Sequence, residues 1–273
     1  MGNTKKTSVL LPTDLSERAL EAAEMTIRSL GTTGVRYTLV HAYFELGTMD
    51  PLLPSVTAEM HEAAVQGLAD HLHRLKERLA PLDADIRTSA SFGPLASTVD
   101  REARELHADL VVMYTGDPAT RTVFGTNTAR VIGEAHVPVL ELPFEVRDLR
   151  IRRILLADDQ AALEPRSLHM VAFLAQRTQA ELIIAHVATG RPEWDRADHG
   201  AMFREVFQGI PMRSVRVEDD DVTEALLGIA ARERADLIAA VHRHEGFLND
   251  LFHRSTTRKL ALASSIPVLA LEQ

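Results

Sequence analysis

Short runs of consecutive apolar residues alternate along this chain with stretches in which apolar residues return every three or four positions. The runs SVLL (8–11), YTLV (37–40), LVVM (110–113) and PVLEL (138–142) have the pattern of strands covered on both faces. Between the first two, Ser16 stands where a helix cap is expected, and Ala19, Ala23, Ile27 and Leu30 fall on one face. A longer helical stretch follows, with Ala64, Leu68, Leu72, Leu75 and Leu79 as its apolar stripe. His71 and His73, flanked by Asp70 and Arg74, read as its solvated face. A weaker strand over 85–92, a helix over 96–106, the strand 110–113, a loop, a helix starting near Thr126 and a closing strand complete the first half. Such alternation implies right-handed crossovers and a parallel sheet with helices on both faces.

The pattern then repeats. Asp14 aligns with Asp159 and His41 with His186, both at an offset of 145. Asp109 aligns with Asp236 at 127, and Pro138 with Pro267 at 129. Four segments recur in the same order, so the second copy is shorter by about eighteen residues between its second and fourth strands, the difference between the first and third offsets. The reading is a duplicated module, the first over residues 1–147 and the second over 148–273.

Composition narrows the function classes. The absence of cysteine excludes disulfides, thiolate nucleophiles and thiolate metal sites. A net charge of -9 argues against nucleic acid as a partner. No stretch approaches the roughly 20 apolar residues of a membrane span, and the N-terminus has no secretory pattern, so a cytoplasmic protein with no membrane association is expected. Gly2 does not complete a myristoylation motif, because position 6 is Lys. The sequence contains no nucleophile elbow, no His-Glu-x-x-His and no Gly-x-x-x-x-Gly-Lys-Ser/Thr loop.

In an open parallel sheet, ligands bind beyond the carboxyl ends of the strands where the winding reverses. That directs attention to Pro12, Thr13 and Asp14, and to the segment 113–128. A helix starting near Thr126 offers free N–H groups to an anion, and Gly125 lets backbone approach a phosphate. Each residue also has a plainer reading: Asp14 as a turn residue, Thr126 and Thr128 as helix-start residues, and His41 and His186 as packing groups. His242, His244 and His253, with Glu245 or Asp250, form a candidate metal set. Asp219, Asp220 and Asp221 precede a helix and read as capping. The segment holding Trp194 reads as a short helix in the place of the first copy's long one.

The segments VLLPTDLS (9–16), ADLVVM (108–113) and GTNTARVIGEAHVPVLELP (125–143), with a second set in the second half, resemble the universal stress protein family in its tandem form. The resemblance covers nearly the whole chain. It implies two tandem Rossmann-like, adenine nucleotide alpha hydrolase-like domains, each an α/β fold with a five-stranded parallel sheet flanked by helices. Family members often pair through the last strand, which implies an intramolecular pseudo-dimer or a homodimer. Nucleotide-binding members hold ATP with an aspartate ending strand one and a loop of Gly, two residues, Gly, nine residues, Gly and Ser or Thr.

In the first copy the resemblance assigns ATP to Pro12, Thr13, Asp14, Gly116, Gly125, Thr126, Asn127 and Thr128. Tyr114 and Asp117 stand where the first two glycines belong, and only seven residues then precede Gly125. In the second copy Val241, His244, Arg254 and Ser255 keep the spacing and lose every glycine, while Asp159 follows Asp158 at the end of its first strand. No family-like ATP binding is expected there. The expected function is a non-catalytic stress-response module that senses a ligand or binds protein partners, with its ATP site degenerate. The alternative is a nucleotide-regulated switch or weak ATPase that binds ATP in the first copy alone.

Overall fold

The computed structural model describes residues 6–43, 54–115, 121–188, 198–242 and 250–273. The chain divides into two compact units, Met1–Val137 and Pro138–Gln273.

The first unit runs β1 (Thr7–Pro12), α1 (Glu17–Leu30), β2 (Val35–Tyr43), α2 (Pro54–Leu79), β3 (Asp85–Phe92), α3 (Leu95–Glu105), β4 (Leu110–Tyr114) and α4 (Arg121–Glu134). Its strands lie in the order β3-β2-β1-β4, all parallel. The chain winds outward from β1 to β3 and then returns to the other side of β1. The reversal therefore falls between β1 and β4, where the sequence places it.

The second unit comprises β5 (Val139–Leu142), β6 (Arg153–Ala157), α5 (His169–Thr178), β7 (Glu181–Ala188), α6 (Gly200–Val206), β8 (Met212–Glu218), α7 (Val222–Glu233), β9 (Leu237–His242), α8 (Asp250–Ala263) and β10 (Val268–Glu272). The order is β5-β10-β9-β6-β7-β8. β6, β7, β8, β9 and β10 are parallel, and β5 runs antiparallel to β10 with Leu140 opposite Leu269. The sequence assigns β5 to the end of the first module. Through this pairing it is counted with the second unit.

The two-faced burial expected of central strands is present: Val9, Leu10, Leu11, Leu110 and Val111 are buried, as are Ile154, Leu155 and Leu156. Ser16 caps α1 by accepting the Ala19 N–H, and Ala19, Ala23, Ile27 and Leu30 are buried on its inner face. Asp221 caps α7 by accepting the N–H groups of Thr223 and Glu224, in keeping with the capping reading of that acidic run. Trp194 lies outside the described residues, and the described helix that follows in the sequence, α6, is seven residues long.

Two local expectations are corrected. On α2 the buried stripe is Ala64, Leu68, His71, Leu75 and Leu79, and Leu72 is only half-buried. The helical period puts position 71 between 68 and 75 on the inner face, so His71 is a core residue; its neighbour His73 does face solvent. The helix expected to start near Thr126 starts at Arg121 instead. Thr126, Asn127 and Thr128 therefore sit beyond its first turn, where the N–H groups are spent within the helix and are not free for an anion. The sequence RTVF, read as loop, forms that extra turn.

The repeat also shows in a recurring backbone clamp. Asp109 accepts the Ser8 N–H at 2.8 Å, and Asp236 accepts the N–H groups of Arg152 and Arg153 at 2.8 and 2.9 Å. Each carboxylate thereby ties the entry of a first strand to the approach to the fourth. Replacing Asp236 by Ala removes the acceptor for two N–H groups and is expected to cost about 1–2 kcal/mol. Chemical denaturation checks this, with Asp236→Asn, which retains one acceptor oxygen, falling between.

Candidate functional site

The site begins where β1 ends. Thr13 continues the ladder by donating its N–H to the Val40 carbonyl at 2.8 Å. The chain then turns through Leu15, whose φ of 65° is left-handed. Side chains stabilise that turn: Thr13 Oγ1 accepts the Leu15 N–H, and Asp14 Oδ1 accepts the Ser16 N–H, both at 3.0 Å. The plain reading of Asp14 as a turn residue is thus realised, and its side chain remains exposed.

Two histidines hold Thr13. His41, on β2, places Nδ1 2.8 Å from the Thr13 carbonyl. A carbonyl only accepts, so Nδ1 carries the hydrogen and Nε2 is the ring's acceptor when neutral. His71, 2% exposed, brings Nε2 to 3.2 Å from Thr13 Oγ1. Its Nδ1 is buried with no hydrogen-bond partner. Burial, reinforced by Arg74, holds the imidazole pKa below its ordinary value.

Tyr114, the last residue of β4, donates its hydroxyl hydrogen to Asp14 Oδ2. Since that hydrogen is spent, the 3.1 Å contact between Ser16 Oγ and the phenol oxygen has Ser16 donating. Ser16 Oγ in turn accepts the Ala19 N–H at 3.1 Å. The result is a chain of hydrogen bonds from the start of α1 to the aspartate. Burial and the adjoining carboxylate push the Tyr114 pKa above its ordinary value, so the phenol stays protonated.

These groups border a cavity of about 190 Å³ at the carboxyl ends of β1 and β4. Pro12, Thr13, Asp14 and His41 line one side, Met113 and Tyr114 another, and Asn127 and Thr128 reach it from α4. Ala42 and Leu95 add apolar wall. Of the residues assigned to a nucleotide, Pro12, Thr13, Asp14, Asn127 and Thr128 are brought together here. Gly116 lies outside the described residues, as does Asp117, and nothing is described for the side chain of Thr126.

The second unit builds the same turn from different side chains. Asp158 donates its N–H to the Ala185 carbonyl at 2.8 Å, and Gln160 takes the left-handed φ of 53°. Asp158 Oδ1 accepts the Gln160 N–H, and Asp159 Oδ1 the Ala161 N–H, each at 3.0 Å. His186 Nδ1 lies 3.0 Å from the Asp158 carbonyl, while His199 Nδ1 lies 2.9 Å from Asp158 Oδ1, with both side chains of the latter pair more than nine-tenths buried. The sequence reading nominated His41 and His186 as packing groups but missed their hydrogen bonds and the second histidine of each pair. A signal existed for His71, which occupies a core phase of α2; none marked His199.

Val241 is the next-to-last residue of β9, and Arg254 and Ser255 lie within α8, which starts at Asp250. His244 and the side chains of His242 and His253 lie outside the described residues, so the candidate metal set does too. Among the described residues no group of three or more His, Asp or Glu side chains could hold a metal ion.

A duplicated, doubly wound α/β protein with a cleft at the winding reversal is the class these features define. The model of the universal stress protein family matches residues 7–143 and 193–272, and the chain belongs to that family. Universal stress protein G of Shigella flexneri is 27% identical over 147 residues, covering 49% of this chain and 96% of that protein. A universal stress protein from Archaeoglobus fulgidus shares the fold over 97% of this chain and 98% of its own, with a TM-score of 0.69 at 20% identity. A universal stress protein structure from Pseudomonas aeruginosa aligns over 98% of this chain with a TM-score of 0.61 at 17% identity.

His71 gives a pH test. Its folded pKa is lowered, so below an ordinary histidine pKa of about 6.5 the unfolded chain binds a proton that the folded chain resists. The stability that neutral His71 contributes is complete above that pH and is lost as pH falls towards the lowered value. Thermal melts of His71→Gln are expected to show a shallower loss of Tm from about pH 7 to 5 than the parent protein.

Proposed function

We propose that this chain is a non-catalytic stress-response module that senses a small ligand or binds a protein partner, and that the family's ATP site is lost in both units. The observation that carries the reading is the hydroxyl of Tyr114 seated on Asp14. Tyr114 stands at the first glycine position of the family loop, and its side chain takes up the aspartate that nucleotide-binding members use. In the second unit Asp158 is buried against His199, and the matching loop positions Val241, His244, Arg254 and Ser255 lack glycine. The antiparallel pairing of β5 with β10 supports an intramolecular pseudo-dimer of the two modules, divided as the sequence suggests at 147/148. No described helix is long and apolar enough to cross a membrane.

One observation favours the second reading, ATP held by the first unit alone. A cavity persists at the winding reversal, with Thr13, Asn127 and Thr128 on its walls. Calorimetric titration of nucleotide-stripped protein with ATP and magnesium separates the two readings. The expected outcome is no saturable heat up to about 1 mM, corresponding to binding weaker than about -4 kcal/mol. Micromolar binding at one site per chain establishes the nucleotide switch instead.

A further inference from the structure

We infer that the cavity of the first unit takes a small ligand with an oxyanion head, a phosphate or a carboxylate, and that the N-terminus of α3 holds that head. The inference rests on the proposed loss of ATP and names the ligand class of the same cavity. An anion was expected at α4, but that helix begins at Arg121 and spends the N–H groups of residues 126–128 internally. The free N–H groups belong to α3 instead. Leu95, the first residue of this 11-residue helix, lines the cavity. Its N-cap is Pro94, which supplies no side-chain acceptor, and its first turn carries no acidic residue. Ser97 Oγ does not cap it either, since it donates to the Pro94 carbonyl at 3.1 Å. The N–H groups of Leu95, Ala96 and Ser97 therefore have no acceptor among the described residues, and they stand at the positive end of the helix dipole.

Thr98 points the same way by an independent observation. It is fully buried, and its Oγ1 has no hydrogen-bond partner. The usual acceptor for such a hydroxyl is the carbonyl one turn back, but the Pro94 carbonyl already accepts the Thr98 N–H at 3.0 Å as well as Ser97 Oγ. The Thr98 hydroxyl faces the helix entry instead, where a Cβ on Gly93 would stand 3.1 Å from it. Gly93 has a φ of 137°, a conformation that suits glycine alone. A donor without an acceptor is thus held behind the free N–H groups. Asn127 and Thr128 add an amide and a hydroxyl to the wall of the same cavity. The rest of that wall includes the apolar Ala42, Leu95 and Met113. At about 190 Å³ the cavity falls below the roughly 300–1,000 Å³ of common ligand pockets, so the body attached to the head is small.

Inorganic phosphate and isobutyrate are the probes, titrated into the full chain at constant ionic strength and followed by amide chemical shifts. At least one of them is expected to give saturable shifts at the Leu95, Ala96 and Ser97 amides with a Kd of about 1 mM or tighter, and the one that binds identifies the head. Ser97→Asp, at an exposed position, places a carboxylate among the free N–H groups. Because that charge suits the helix, Tm is expected to hold or rise while affinity for the probe falls by about tenfold or more. Thr98→Val removes a hydroxyl that has no partner, so Tm should again hold or rise while affinity falls by about threefold or more. Stability and binding thus move apart, which a merely structural role for these residues does not produce. No saturable shift with either probe, shifts that leave residues 95–97 unmoved, or unchanged affinity in either variant overturns the inference. Micromolar ATP binding by the parent is a separate result: it refutes the underlying loss of ATP, while the α3 site stands or falls by the two probes.

Discussion

The chain must leave a fully buried strand, pass through a left-handed residue and enter a helical region without stranding polar backbone groups. Both units meet this constraint identically at the backbone level. The N–H after the strand continues the ladder to the neighbouring strand, through Val40 in one unit and Ala185 in the other. The residue that follows the strand accepts the N–H two positions on, and its neighbour does the same one step later. Buried or half-buried backbone without such partners is costly, so each polar side chain here answers a need of the fold before it serves any ligand. The cavity of the first unit is shaped by that requirement.

The two units differ in how the same turn is supported from the side. Thr13 presents a hydroxyl to His71, whereas Asp158 presents a carboxylate to His199. A neutral pair suits the long α2, whose core stripe carries the histidine in from the middle of the helix. The short α6 offers no such stripe, and His199 arrives at its N-terminus, where an edge-to-face contact with Phe203 holds the ring. Ser16 has Ala161 as its counterpart at the 145 offset, so the second unit lacks the cap that starts α1 at once. Its chain runs through a 3₁₀ turn at Pro165–Leu168 before α5 begins at His169. One lost hydroxyl thus accompanies a shift of the helix start.

Much of the fold was legible because burial on two faces writes apolar runs and burial on one face writes a helical period. The runs at 8–11, 37–40 and 110–113 each became a strand, and the offsets of 145 and 127 exposed the duplication. Helix phase is harder to read: composition favours Leu72 as a core residue, whereas the period places His71 there. The start of α4 was misplaced for a related reason, since Gly125 and Thr126 look like a helix start while RTVF carries no cap signal. Within the cleft, Asp14 and His41 could be nominated from strand ends. The contacts that give them meaning join residues 28 to 100 positions apart, as in His41 with Thr13 and Tyr114 with Asp14, and no local pattern records them.

Tyr114 shows how one substitution alters a site without altering its frame. The strand that carries it pairs with β1 through Val9 and Leu10, so its final side chain is delivered to the turn at Asp14 whatever that side chain is. A glycine there leaves the aspartate's second oxygen to solvent or to a ligand. A tyrosine supplies a donor of its own, fixed by Ser16 and therefore by the first turn of α1. The carboxylate is then satisfied internally, and the free energy of forming that hydrogen bond is spent in folding, with nothing left for a ligand to gain by making it. Around that internally bonded pair the cavity is walled by Ala42, Leu95 and Met113, by the imidazole of His41 and by the polar side chains of Thr13, Asn127 and Thr128.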